Sequence, residues 1–351
     1  MNRNDDPQKR HHRESGFQNN YEEFVPKSLA DVLRWRWNAA RNGLPRKPQT
    51  ATPRIDPDLQ FLKANAAAGT AMVPSVTWIG HATVLAQLRG INLLTDPVFS
   101  DRASPFSFVG PKRHVAPGVS LGDLPHVEFV LISHNHYDHL DGTTVDALAA
   151  QAGGPPTFVV PLGLKSWFEA RGIATVVELD WWQCHLFTGS NGVIEILLCP
   201  AQHWSARGLN DRMKTLWGGF AIIASDCHFF FAGDTAYSRD FEDIRAHLAP
   251  RQTFAAGGGF DIAILPIGAY EPRWFMQDQH VNTEEAVKIH QDLGAKSSLG
   301  VHWGTFELTD EALDEPPRAL AQDALSAGLR AGEFFVLAVG ETRRIAERQR
   351  R

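Results

Sequence analysis

The chain reads as an α/β protein, a sandwich of two sheets with helices on its outer faces. Three observations point there. From about residue 73, short apolar runs of strand length recur between Gly, Pro and Asp turns. Amphipathic stretches of helical length fall between some of these runs but not all, so strict βαβ alternation is absent. Histidines and aspartates with ligand-like spacing directly follow several strand runs, and strand ends can gather on one rim.

The N-terminal region comes first. Residues 1–25 are polar and charged, with His11-His12 among Lys and Arg, which predicts a solvated, flexible extension. A helix is predicted over 28–43, with Ser28 as N-cap and Leu29, Val32, Leu33, Trp37 and Ala40 on one face. Its Arg34-Trp35-Arg36-Trp37 run suits either docking on the body of the protein or lying at a membrane interface. Pro45, Pro48 and Pro53 stiffen the chain beyond that helix, so 26–72 reads as a helix and Pro-rich linker packing on the core or on a membrane. Strands are predicted over 76–79, 83–88, 92–95, 129–132, 157–160, 194–198, 219–225, 228–232 and 262–266. Helices are predicted over 144–151, 162–170, 241–248, 283–293 and 318–327. One domain over 73–345 and a charged tail over 346–351 complete the partition.

Composition narrows the function. Lys and Arg number 34 against 40 Asp and Glu, a net charge of −6, so no global basic field argues for nucleic acid. Cys184, Cys199 and Cys227 are odd in number and lack C-x-x-C spacing, which disfavours a disulfide framework and a thiolate metal site. The first residues lack the apolar stretch of a signal peptide, and no run approaches the ~20 apolar residues of a membrane span. A cytoplasmic protein is expected. Against the 3 Cys stand 15 His, the commonest metal ligand.

The decisive segment is Ser133-His134-Asn135-His136-Tyr137-Asp138-His139, directly after the apolar run 129–132. Side chains at 134, 136 and 138 share a parity and can converge, while His139 turns the other way. Four such groups clustered without a cation would repel one another and be costly to desolvate. One metal cannot use all four alongside later ligands; two adjacent metals can. Single candidates stand after later strand runs: His203 in Gln202-His203-Trp204, Asp234 in Gly233-Asp234-Thr235, and His302 in Val301-His302-Trp303.

His-x-His-x-Asp-His, then a distant His, Gly-Asp-Thr and a final His, resembles the ligand order of the metallo-β-lactamase-fold hydrolases. Within them the chain is similar to the family of N-acylphosphatidylethanolamine-hydrolysing phospholipases D. The likeness runs over most of 73–340, through Trp78-Ile79-Gly80-His81-Ala82-Thr83, Thr95-Asp96-Pro97, Glu178-Leu179-Asp180-Trp181-Trp182 and His302-Trp303-Gly304-Thr305-Phe306. Its most specific stretch is Ile267-Gly268-Ala269-Tyr270-Glu271-Pro272-Arg273-Trp274-Phe275-Met276, followed by Gln279-His280-Val281.

The resemblance implies a four-layer αββα sandwich with a dinuclear site at the rim between the sheets. It implies two Zn2+, one on His134, His136 and His203, the other on Asp138, His139 and His302, with Asp234 between them. Asp96 and His81 would support the ligands, and His280 would donate to the phosphate or protonate the leaving oxygen, with Asp138 also counted catalytic. Tyr137 and Gln279 are the further candidates for holding the headgroup. The remaining eight histidines, His11 and His12 among them, receive no role. Histidine at 136, where diiron redox members carry a carboxylate, favours hydrolysis.

The implied reaction converts an N-acylphosphatidylethanolamine to an N-acylethanolamine and phosphatidic acid, using a hydroxide held between the zincs. Lowering the pKa of water from about 15.7 to about 7 is on the order of 12 kcal/mol in favour of hydroxide, so no Ser or Cys nucleophile is required. A phospholipid substrate, peripheral membrane association and a homodimer are the implied partners. Ala206, where the family pattern has lysine, and Gly142, where it has a larger aromatic residue, depart from that pattern. A hydrolase of the same fold acting on a soluble phosphodiester, sugar phosphate or lactone remains an alternative reading, and a non-catalytic metal sensor a second.

Overall fold

The computed structural model describes residues 9–189 and 192–348. A two-residue hairpin opens it, β1 (His12–Arg13) against β2 (Gly16–Phe17). Helix α1 (Leu29–Asn42) comes next, starting at a reciprocal cap in which Ser28 and Asp31 each accept from the other's backbone, and ending at Gly43 in the left-handed conformation, φ 63°. Helix α2 (Leu59–Ala66), unforeseen in the Pro-rich stretch, starts at Asp58, which accepts from the Phe61 N–H.

Among the described residues, two seven-stranded sheets form the centre. The first begins with β3 (Ser75–Gly80), β4 (Thr83–Leu88) and β5 (Ile91–Thr95), joined antiparallel, then adds β6 (Phe129–Leu131), β7 (Thr157–Pro161) and β8 (Val176–Leu179) in parallel. The second begins antiparallel with β9 (Cys184–Gly189), β10 (Gly192–Cys199), β11 (Gly219–Ile223) and β12 (His228–Phe231). It continues in parallel through β13 (Ile262–Pro266), β14 (Ser298–Val301) and β15 (Phe334–Phe335). Strand β16 (Thr342–Arg344) returns to the first sheet beside β3.

Residue parity builds the layers. Val84, Ala86 and Leu88 of β4, Ile91 and Leu93 of β5, and Phe129 and Leu131 of β6 join one core with Ile196, Phe220, Phe229 and Ile264 of the other sheet. The alternate residues Leu85, Leu94, Val130 and Phe158 form a second core with Leu62 of α2, with Val145 and Leu148 of α3 (Gly142–Ala149), and with Phe168 of α4 (Lys165–Glu169). On the opposite face α5 (Asp240–Leu248), α7 (Thr283–Leu293) and α8 (Glu315–Ser326) pack through Ile244, Ile289 and Leu320; the four-residue α6 (Arg273–Met276) lies in the loop between β13 and α7. The result is the αββα sandwich of the metallo-β-lactamase fold.

Three local features bear on the predicted termini and the first helix. Residues 9–24 are not a solvated extension: His11 is 1% exposed and Asn19 6%, and Phe17 N–H donates to Met213 O at 2.8 Å. Residues 1–8 and 349–351 of the predicted termini lie outside the described residues. The described part of the tail is anchored, since Arg348 is buried and pairs with Asp261 at 2.8 Å while donating to the Gly258 and Gly259 carbonyls. Third, the stripe Leu29, Leu33 and Trp37 of α1 is 75%, 61% and 71% exposed. The helix docks through Trp35, whose ring lies 4.8 Å from that of Phe275, and through buried Ala39.

Arg348→Ala takes the buried guanidinium from the Asp261 carboxylate and leaves it with the His228 N–H at 2.7 Å and the part-exposed Lys296. A loss of about 3 kcal/mol is expected in urea denaturation; a midpoint within error of the parent would contradict the buried-pair account.

Candidate metal centre

The rim where parallel strands from both sheets end collects the titratable side chains. Asp96 follows β5, residues 133–139 follow β6, Asp234 follows β12 and His302 follows β14. His81 follows β3, and His203 lies just beyond β10. His81, Asp96 and His302 at this rim have φ of 53°, 33° and 64°, left-handed values that are uncommon for residues other than glycine. Two glycines permit the crowding. A Cβ on Gly233 would stand 2.5 Å from Ser133 Cβ, and one on Gly268 would stand 2.2 Å from His302 O.

Hydrogen bonds aim the imidazoles. Ser133 N–H and O–H donate to Asp96 at 2.7 and 2.5 Å, and the same hydroxyl accepts from His134 Nδ1 at 2.8 Å. His139 Nδ1 donates to Asp96 at 2.6 Å, and His203 Nδ1 to the Gln279 carbonyl at 2.8 Å. Each of these rings therefore turns Nε2 inward, the orientation that outer hydrogen bonds impose on metal ligands.

The inward atoms form two sets. In one, His134 Nε2 and His203 Nε2 lie 2.8 and 3.4 Å from His136 Nδ1. In the other, His139 Nε2 and His302 Nε2 are 3.2 Å apart, each 3.4 Å from Asp138 Oδ2. Asp234 lies between the sets: 3.0 Å from His139 and 3.2 Å from His302, and 3.9 Å from both His134 and His203. His81 Nε2 reaches Asp138 Oδ2 at 3.1 Å, and His302 N–H donates to the His81 carbonyl. His280 Nδ1 is buried without a hydrogen-bond partner, 3.9 Å from Asp234 Oδ2.

The electrostatics divide the rings. Burial and neighbouring imidazoles push His134 well below its usual range and His136 to about 3, and burial against only partial compensation from Asp234 puts His203 at about 4. These rings are neutral at pH 7 and offer lone pairs. Burial opposes the charge on His139 and His302 as well, but Asp234 and Asp138 prevail, raising His139 well above its usual range and His302 to about 9. Facing imidazole nitrogens at 2.8 and 3.2 Å, together with buried carboxylates, fit a cation better than they fit one another. The donor set, nitrogen and carboxylate oxygen without thiolate, suits divalent zinc-class ions.

The two residues expected to hold the headgroup have protein partners of their own. The Gln279 side chain is buried against Met276 Sδ at 3.3 Å, and the residue serves the site through its carbonyl. The Tyr137 hydroxyl donates to the Arg207 carbonyl at 3.0 Å, with the Arg207 guanidinium 4.0 Å over its ring, beside a cavity of about 740 Å³ also lined by Arg102 and Arg171. Gly142 leaves the space that Arg171 takes, since a Cβ there would meet its Nη2 at 2.7 Å. A contributor with no motif to reveal it is Asn19, whose Oδ1 accepts from His203 N–H and Trp217 Nε1, both at 3.1 Å.

Residues 91–303 match the family model described as a beta-lactamase superfamily domain. The chain is 41% identical over 273 residues to N-acyl-phosphatidylethanolamine-hydrolyzing phospholipase D 1 of Caenorhabditis elegans, covering 76% of this chain and 74% of that protein. It is 36% identical to the mitochondrial N-acyl-phosphatidylethanolamine-hydrolyzing phospholipase D of Saccharomyces cerevisiae, over 72% of this chain and 52% of that one. Among solved structures, the isothiocyanate hydrolase from Delia radicum gut bacteria shares the fold, with a TM-score of 0.57 at 18% identity over 78% of this chain and 99% of that one. The chain thus belongs to the metallo-β-lactamase superfamily of metal-dependent hydrolases, in the branch of phosphodiesterases formed by the N-acylphosphatidylethanolamine-hydrolysing phospholipases D.

Proposed function

We propose that the protein cleaves the phosphodiester of an N-acylphosphatidylethanolamine on its headgroup side, releasing an N-acylethanolamine and leaving phosphatidic acid. The observation that carries this reading is the pair of inward-facing ligand sets joined at Asp234, in a chain with this relationship to two phospholipases D. His134, His136 and His203 would hold one Zn2+ and Asp138, His139 and His302 the other, with Asp234 shared. Bound there, such ions supply Lewis acidity toward the phosphoryl oxygens and bring the pKa of a coordinated water near neutrality.

The chain's own residues do the rest. His280 stays neutral at pH 7 because burial outweighs the pull of Asp234, so its imidazole can donate one N–H to a phosphate oxygen. Its position is held from outside: Arg273 Nη1 donates to the His280 carbonyl at 2.8 Å, and its Nη2 donates to both Glu285 carboxylate oxygens. Asp96 keeps His139 and, through Ser133, His134 from rotating away. The exposed Leu29, Leu33 and Trp37, with Arg34 and Arg36 on the same helix, suit peripheral contact with a phospholipid surface. Helix α1 reaches the site loop through Trp35 on Phe275 and Arg34 over Trp274.

Turnover on N-acylphosphatidylethanolamine vesicles tests the reading. Chelation or Asp138→Asn is expected to reduce the rate more than about a hundredfold with the fold intact by circular dichroism, and His280→Ala by about 10²–10³-fold. Undiminished turnover in chelated protein would sink the proposal, as would equal rates on a short-chain soluble diester without vesicle binding.

Proton release supplies a separate check. His139 and His302 carry raised pKa values in the metal-free site, so each holds a proton at pH 7 that an incoming cation must displace. Zinc titration of stripped protein in buffers of different ionisation enthalpy is expected to show release approaching two protons at pH 7, with affinity falling as pH drops. Release near zero would contradict the assignment. Leu29→Glu combined with Trp37→Glu is expected to weaken vesicle co-sedimentation about tenfold or more while sparing hydrolysis of the short-chain diester.

A further inference from the structure

The N-terminal segment brings a second group of ligand atoms together, away from the rim. His11 Nε2 lies 2.6 Å from Asp180 Oδ1, and His12 Nε2 lies 2.8 Å from Asp180 Oδ2. The histidines stand 169 and 168 residues before the aspartate, which follows β8 at the edge of the first sheet. All three ligand atoms fall within 4.8 Å of one another. His11 and Asp180 are buried, while the His12 side chain is 34% exposed, so the group has one closed side and one open to solvent.

We propose that His11, His12 and Asp180 form an additional, structural metal site for a divalent cation of the zinc class. Two imidazole nitrogens and a carboxylate oxygen are three of the four ligands such an ion takes, and water entering beside His12 completes the shell. The aim of the donors is set independently of their mutual contact. The His11 ring is fixed against Trp181 at 4.4 Å and stacked on Phe17 at 6.4 Å. Trp181 N–H donates to Asp180 Oδ1 at 2.9 Å, and the Asp180 N–H is held by Gln183 at 2.9 Å.

The fold has a use for an ion at this point. Residues 9–24 contain no helix longer than a turn and are tied to the body by scattered hydrogen bonds and a few ring contacts, Phe17 against the core among them. A cation bonded to both His11-His12 and Asp180 would convert the start of this segment into a cross-link. The same segment carries Asn19, which braces His203, and Phe24, whose ring stacks on Trp204 at 5.3 Å. The staple therefore secures the brace of a rim histidine while contributing no atom to the rim. The competing arrangement is a hydrogen-bonded clasp, in which both Nε2–H groups donate to Asp180 and no ion binds.

The full-length protein, loaded with zinc and dialysed exhaustively against metal-free buffer, separates the two. An anomalous difference map at the zinc edge is expected to show a peak enclosed by His11, His12 and Asp180, whatever is found at the rim. In His12→Gln that peak is expected to vanish, with bound zinc falling by one per chain by mass spectrometry and rim peaks retained. No peak in the parent protein overturns the proposal and leaves the clasp. So does a peak seen only in crystals soaked in excess zinc, or a zinc count that His12→Gln leaves unchanged. Because the peak is located in the unmutated protein, a poorly folding variant does not blunt the test, and absence of metal at the rim alone would bear only on the hydrolase reading.

Discussion

The buried Asp96 carboxylate is the contact from which the rim is organised. It takes the Ser133 N–H, the Ser133 hydroxyl and His139 Nδ1, at 2.5–2.7 Å, with no exposure to solvent. Those bonds fix the turn leaving β6, the face that His139 presents, and through the hydroxyl the tautomer of His134. A carboxylate this deep is costly unless several donors meet it, and each donor here is itself part of the ligand-bearing loop. Structural demand and chemical demand are satisfied by the same atoms, so the loop cannot relax without uncovering a buried charge.

The gathering of these side chains was legible in the sequence, because four of the first sheet's candidates are compressed into 134–139. Density of that kind has few structural explanations. His203, Asp234 and His302 were individually weak and gained force only from recurring at strand ends, which the sheet topology brings to one rim. The features that stayed hidden were carried by atoms without a side-chain code. Gln279 meets His203 through its backbone carbonyl, a contact that its side-chain identity does not encode. Asn19 has no motif, and its contact to His203 spans 184 residues.

The missed elements have similar causes. Strand β9 is only half-buried and shows no continuous apolar run, and α2 has eight residues in a stretch dominated by prolines. Helix α1 differs from both. Periodicity located its apolar stripe correctly, but the stripe faces outward, while Trp35 and Ala39 make the contact with the body. A moment along a helix says that one side is apolar; it does not say what that side meets.

The rim draws His134, His136, Asp138 and His139 from the first sheet, and His203, Asp234 and His302 from the second. Neither ligand set is complete within one sheet, and the last member stands at residue 302 of 351. Chain order thereby becomes an order of events. During synthesis the first sheet can align its four groups long before their counterparts exist, and both sets are completed only after β14 has joined its neighbours. Neither grouping can therefore close before β14 is in place, and a nascent chain halted before that strand would present only part of each cluster.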